Sequence, residues 1–307
     1  MQGNKVTVGA PFYNRVAIPV VLLLLILTAV GPLLAWRKTS FESLKRNFMW
    51  PTVAAVVVML FLMATPPGWG GPFGLRPWQD ISYFYSLMAI GLCVLVTATV
   101  ASEFYRGGRV ISEKTGQGMF ASMVQLTHRN TRRYGGYIVH FGVVVVIIGV
   151  AGYPFNQDKE QEMGYGDKMQ IGSYTLVCRS FTDEEYPNYE AEWAVLDVFQ
   201  KGKQIDTLYP ERRFYKASQQ ASTMPFIRST LKEDLYLTYE GLNQDTGHPI
   251  LKAHVNPLVM WLWVGVWIII GGTLLALVPN APSFSPARVP RFAESVPRAA
   301  PVPTAGD

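Results

Sequence analysis

Charge is what this sequence has least of. Asp, Glu, Lys and Arg make up 16% of its 307 residues, against roughly 25% in soluble domains. The shortage is concentrated in five stretches almost free of charge: about Val16–Trp36, Phe48–Ala64, Ile81–Ser102, Tyr134–Tyr153 and Pro257–Val278. Each approaches the ~20 residues that cross a bilayer as a helix. One such stretch is compatible with a buried core helix; five in one chain exclude an ordinary soluble protein. Cysteine is also scarce. Cys93 falls inside the third stretch and Cys178 lies far from it, on a separate element, so a disulfide between them is not expected. The absence of C-x-x-C excludes a thiol oxidoreductase, and the absence of C-x-x-C-H excludes covalent c-type haem. No Ser, His and acid set reads as a hydrolase triad. No Gly-rich phosphate loop follows a strand, and no H-E-x-x-H or cysteine cluster points to zinc.

The charges that are present are sorted by side. Arg37, Lys38, Lys45 and Arg46 follow the first stretch. Arg106, Arg109, Lys114, Arg129, Arg132 and Arg133 follow the third, and Arg288, Arg291 and Arg298 lie in the tail. The opposite side has only Lys5, Arg15 and Arg76 in its short segments. The positive-inside rule therefore places the thirteen in the cytoplasm. The N-terminus, the Pro66–Asp80 loop and the long stretch Pro154–Asn256 are then outside. The formal charge of +5 is no nucleic-acid signal: residues 154–255 hold 11 Lys/Arg and 16 Asp/Glu, net −5, while the remainder is +10. That asymmetry is a membrane-orientation pattern. The N-terminal end carries no cleavable signal, so it reads as the continuation of a longer membrane protein.

These observations predict an α-helical integral membrane protein with five transmembrane helices and a small, mostly β domain between helices four and five. Residues 1–153 form a four-helix membrane region, 154–255 the external β domain, 256–279 the fifth helix and 280–307 a disordered cytoplasmic tail. Within the outer loop, Trp69 and Trp78 suit the membrane interface. The cytoplasmic loop Glu103–Arg133 is predicted to hold a short helix near Met119–Leu126. In the external domain Ile171–Arg179, Ala191–Phe199, Ile205–Tyr209, Asp234–Tyr239 and Pro249–Val255 read as strands, with Gln200–Gln204 a hairpin turn around Gly202. Several short strands at this spacing suggest a sandwich or barrel.

Four histidines remain to be placed. His128, His248 and His254 have ordinary surface readings. Tyrosines aside, His140 is the sole ionisable side chain within Tyr134–Tyr153, where charge is costly and polar groups tend to face protein or cofactor. A neutral imidazole avoids that cost and is also the form that binds metal. At 1.5 Å per residue it lies roughly 9 Å into the helix from the cytoplasmic end. At 100° per residue Gly136, Val144 and Ile147 share its face, and Gly135, Gly142 and Gly149 form a small-residue stripe on the other. Gly136, one turn before His140, leaves room for a flat bulky group. On the residues alone, an axial haem ligand and an interhelical hydrogen bond both stay open. A bis-histidine haem would need its second imidazole from another chain.

Several segments in order carry a family resemblance. They are TVGAPFYNRVAIP and GPLLAWR around the first stretch, RRYGGYIVHFGVVVVIIGVAG around His140, and GDKMQIGSYTL, LYPERRFY and the DLY at Asp234 in the β region. NPLVMWLWVGVWIIIGGTLLAL closes the set. The chain resembles the C-terminal half of the cytochrome c biogenesis family CcmF, also called CycK, with its paralogue NrfE. The resemblance implies a subunit of the haem lyase complex in the inner membrane, with the β domain in the periplasm. It implies haem transfer from the carrier CcmE to apocytochrome c, with CcmH and CcmI as further partners. It also implies a membrane haem b held between two transmembrane histidines, with His140 matching the second. The family's tryptophan-rich WWD segment, its two periplasmic histidines and its first transmembrane histidine have no counterpart here; GWGGPFGLRPWQD is only superficially similar. The expectation is a split or truncated form that requires an N-terminal half carrying the WWD segment and is not active alone.

Overall fold

The computed structural model describes residues 10–31, 41–65 and 78–280. The predicted outer-loop tryptophan Trp69 and the C-terminal tail fall outside them. Six α-helices and ten strands follow in order: α1 Ala10–Val30, α2 Phe41–Ala64, α3 Ile81–Thr115, α4 Met119–Arg129, α5 Thr131–Val150, β1 Gln157–Glu162, β2 Lys168–Ile171, β3 Tyr174–Glu185, β4 Tyr189–Gln200, β5 Lys203–Leu208, β6 Glu211–Tyr215, β7 Gln220–Met224, β8 Phe226–Ser229, β9 Glu233–Leu242, β10 Pro249–Pro257 and α6 Val259–Leu277. Among the described residues, four helices are long and apolar enough to cross a membrane: Asn47–Ala64 within α2, Ile81–Thr115, Thr131–Phe155 and Val259–Leu277. In α1 the apolar part, Arg15–Val30, is shorter.

The central helix α3 is longer than its hydropathy suggests. Its 35 residues span about 52 Å at 1.5 Å per residue, well beyond the roughly 30 Å hydrocarbon layer. The start is fixed by Asp80, whose carboxylate accepts the Ser82 N–H at 2.6 Å. Past Ser102, where the apolar run ends, the helix continues on ion pairs one turn apart, Glu103 with Arg106 and Arg109 with Glu113. It stops at Gly116, whose φ of 70° is costly for residues with a Cβ. The expected Glu103–Arg133 loop is therefore mostly helix. The short helix expected at Met119–Leu126 is present as α4. Leu25 and Ala29 of α1 and Tyr134, Tyr137 and Val144 of α5 pack around Cys93, Val96 and Val100 of α3. On another side Leu62 meets Leu87.

The β region is a two-sheet sandwich. One sheet has the order β1-β10-β9-β8; the other is β2-β3-β4-β6-β7 with β5 also pairing β4. The twelve-residue β4, Tyr189–Gln200, pairs with β3 along one edge. Its other edge is shared by β6 and β5. In β10, Pro249–Pro257, every second residue is buried, the period-2 pattern of a sheet with one face in a core. That core holds Met163, Met169, Leu176, Cys178, Leu196, Leu235, Leu237, Tyr239 and Leu251. The run Ile171–Arg179 divides into two paired strands, β2 Lys168–Ile171 and β3 Tyr174–Glu185, because Gly172 turns the chain at φ 54°. β1 (Gln157–Glu162), β6 (Glu211–Tyr215), β7 (Gln220–Met224) and β8 (Phe226–Ser229) were not expected.

The sandwich joins the helices without slack. β10 runs into α6 through one residue, Leu258, in the left-handed region at φ 66°. The Leu258 N–H donates to Lys232 O at 3.0 Å, and Trp261 Nε1–H donates to Leu231 O at 2.9 Å. At the other connection, a Cβ on Gly152 would collide with the Pro257 carbonyl oxygen. Ser86 Oγ donates to Ala151 O at 3.1 Å, which ties this corner to α3.

Candidate functional site around His140

α5 has two unlike faces, as its glycines predict. A Cβ on Gly135 would lie 2.8 Å from Gly272 O, and one on Gly142 would lie 3.0 Å from Gly265 O. The relation is mutual: a Cβ on Gly265 would meet Gly142 O at 2.7 Å, and one on Gly272 would meet Gly135 O at 3.0 Å. Gly149 closes the stripe against the Leu262 amide nitrogen at 2.8 Å. α5 and α6 are thus in backbone contact, a packing that side chains would prevent. Gly265 and Gly272, the partners of the stripe, are spaced by seven like Gly135 and Gly142, and that shared spacing was the sequence signal for them.

The face opposite α6 is divided. Toward the sandwich, Val144 is fully buried against α3, with Cys93 Sγ 3.7 Å from its carbonyl oxygen, and Ile147 packs beside it. Toward the N-terminal end of α5 the face opens. Nothing lies within 4 Å of a Cβ placed on Gly136. His140, half-buried, makes no hydrogen bond among the described residues. Gly136 lies one turn before His140 on the same face of α5. His140 and Gly136 share the open part of this face, while Val144 and Ile147 are packing residues.

Below this opening is a polar knot that joins three helices. Arg133 Nε–H donates to Tyr137 Oη at 2.9 Å and Nη2–H to Glu103 Oε2 at 2.8 Å. Glu103 also pairs with Arg106 at 3.1 Å. Arg106 Nη1–H reaches Asn47 Oδ1 of α2 at 2.6 Å. The Arg133 guanidinium stands 5.6 Å from the Tyr137 ring centre and 5.9 Å from that of Tyr134, within cation–π range. From the sequence, Arg133 counts only as a topology charge. Its seven-residue offset from His140, two turns along the same face, was the signal for a closer relation.

The other histidines are accounted for elsewhere. His254 Nδ1 is 2.6 Å from Asp158 Oδ1 across β10 and β1, and His248 Nδ1 is 3.4 Å from Glu162. Thr246 Oγ1–H and Asn243 Nδ2–H also donate to Glu162, and these bonds hold its carboxyl below the usual range. His128 ends α4. Cys93 and Cys178 are both free and buried; burial pushes the Cys178 thiol up to about 11, which leaves it unreactive. Among the described residues no group of three or more His, Cys, Asp or Glu could hold a metal ion.

Residues 154–257 match the family model for the CcmF C-terminal beta-sandwich. Over 280 residues the chain is 28% identical to the cytochrome c-type biogenesis protein CcmF of Pseudomonas aeruginosa, covering 90% of this chain and 39% of that protein. The value for CcmF of Haemophilus influenzae is 26%, over 88% of this chain and 39% of the relative. CycK of Bradyrhizobium diazoefficiens is 25% identical over 89% of this chain and 39% of its own length. The fold is shared with the solved cytochrome c haem lyase CcmF at a TM-score of 0.67 and 23% identity, covering 88% of this chain and 41% of that one. The chain spans about two fifths of the length of these curated relatives. The chain is similar to the C-terminal part of the cytochrome c-type biogenesis proteins CcmF, CycK and NrfE.

Proposed function

We propose that this chain is a haem-handling subunit of a cytochrome c haem lyase complex, and that His140 is an axial ligand to a membrane haem b. The observation that carries the reading is the pairing of His140 with Gly136. A half-buried imidazole without a hydrogen-bond partner among the described residues stands one helical turn from Gly136, beside which no side chain lies. This arrangement fits one axial half of a bis-histidine site. It disfavours the alternative of a purely structural histidine, since no interhelical hydrogen bond from His140 exists among the described residues. The bound haem would supply one-electron chemistry at iron, with its potential tuned by ligand identity and burial. The chain's own part is to present Nδ1 or Nε2 at fixed depth. The α5–α6 glycine contact holds the helix in place, and Val144 against α3 fixes its rotation.

The second imidazole would come from an N-terminal partner carrying the WWD segment. The complex would lie in the bacterial inner membrane, with α1 as a fifth span beside the four long apolar helices. The sandwich would be periplasmic, supported by its net charge of −5 against the basic short segments on the other side. There it would meet CcmH, CcmI, haem-loaded CcmE or apocytochrome c. The sequence divisions 1–153, 154–255, 256–279 and 280–307 are the proposed topological units. The chain alone is not expected to catalyse haem attachment. The test is co-purification with the N-terminal partner and measurement of haem per complex. His140→Ala should lose most of it at equal protein recovery, whereas His128→Ala, His248→Ala and His254→Ala should retain it. Full haem with an unchanged spectrum in His140→Ala would sink the proposal.

A further inference from the structure

Resting on that reading, we propose that Arg133 receives a carboxylate of the macrocycle, so that the propionate edge of the haem faces the cytoplasmic end of α5. Three observations converge. First, the space beside His140 lies on its N-terminal side, at Gly136. The opposite side is filled by Val144 and Ile147 packed on α3, where an anionic edge would be left without partners. Second, Arg133 lies on the face of His140 two helical turns away, roughly 10 Å along the axis at 1.5 Å per residue. That separation matches the reach from the iron to the carboxylates of a porphyrin. Third, the guanidinium is held in place by Tyr137 and Glu103 through Nε and Nη2, and Nη1–H donates in no hydrogen bond among the described residues. A guanidinium fixed at two corners with donors to spare is preorganised for a carboxylate. Its pair with Glu103 does not consume it, since the guanidinium has five N–H donors.

A cationic anchor at a helix end would also serve a lipid phosphate, and the experiment separates the two sources. The complex of this chain with its N-terminal partner, stripped of haem, is titrated with haem b and with its dimethyl ester, which has no carboxylates. Binding is read from the Soret band. Wild type should prefer haem b over the ester. Arg133→Gln should weaken haem b binding roughly tenfold or more while leaving the ester unchanged, and Arg133→Lys should recover part of the preference. Equal loss for both ligands would show a purely structural role for Arg133. Unchanged binding of both would leave the lipid surface as its partner. Either result overturns the proposal. His140→Ala in the same titration distinguishes the two levels. If that variant loses both ligands while Arg133→Gln loses neither, the axial assignment survives and the Arg133 assignment fails. If His140→Ala binds both like wild type, the axial reading itself has failed.

Discussion

Gly135 and Gly136 are adjacent, yet their surroundings predict substitution effects of opposite sign. A Cβ on Gly135 would lie 2.7 Å from Ala276 N, 2.8 Å from Gly272 O and 2.9 Å from Ala276 Cα. All three are backbone atoms of α6, which can yield only by moving the helix. Overpacking of this kind costs about 1–3 kcal/mol, offset by the ~1 kcal/mol that alanine gains over glycine within a helix. Gly135→Ala should therefore lose up to about 2 kcal/mol of α5–α6 stability, and Gly135→Val should lose more. At Gly136 nothing stands within 4 Å, so Gly136→Ala should keep the propensity gain of up to ~1 kcal/mol. Gly136→Leu should fold as well as wild type yet reduce haem retention in the assembled complex, because the leucine fills the space beside His140. Thermal unfolding of the purified chain in one detergent ranks the variants, and haem per complex separates the cofactor effect from the stability effect. If Gly135→Ala and Gly136→Ala shift the melting temperature equally, or if Gly136→Ala is the more damaging, the assignment of the two faces of α5 is wrong.

Three further outcomes follow from other parts of the molecule. Asp234 is almost fully buried on β9 and its Oδ1 is without a partner. Burial raises its pKa, so the folded state holds the proton more tightly than the unfolded chain. Sandwich stability should therefore fall as pH rises above the unfolded value of about 3.9. Asp234→Asn should flatten that slope in hydrogen exchange of the β9 amides; an unchanged slope would exonerate Asp234. Gly152→Val should loosen the junction between sandwich and helices, because its side chain meets the Pro257 carbonyl. Faster protease cleavage near residues 152–157 would report it, and wild-type resistance would show that the junction has slack. Reporter fusions at Gly118 and Asn188 should fall on opposite sides of the membrane; both on the cytoplasmic side would overturn the periplasmic placement of the sandwich.

The sequence carried those features whose physical cause is local and periodic. The glycine stripe on α5 needed only the helical angle, and the position of His140 against it followed at once. β4 and β10 were legible because long apolar or alternating runs mark strands buried on at least one face. β1, with the sequence QDKEQE, has no such pattern. It is an edge strand, placed by its pairing with β10 rather than by its own composition. α3 was cut short at Ser102 because hydropathy reports where the apolar run ends. The helix continues on side-chain ion pairs that hydropathy counts as loop. Arg133 was legible as a charge but not as a site residue, since its role depends on Glu103, thirty residues away. The glycines of α6, Gly265 and Gly272, repeat the seven-residue spacing of Gly135 and Gly142, but which glycine meets which needed the two helices together.

The central claim is that the imidazole of His140 is bonded to iron, and cavity rescue tests that bond itself. In the complex with the N-terminal partner, His140→Gly removes the ligand and leaves a space of the same shape. The account predicts that this variant loses the low-spin haem spectrum and that added imidazole restores it in a saturable manner. The same treatment of wild type or of His128→Gly should change nothing. A low-spin spectrum that persists in His140→Gly without imidazole would contradict the account, because the iron would then have its axial ligands from elsewhere.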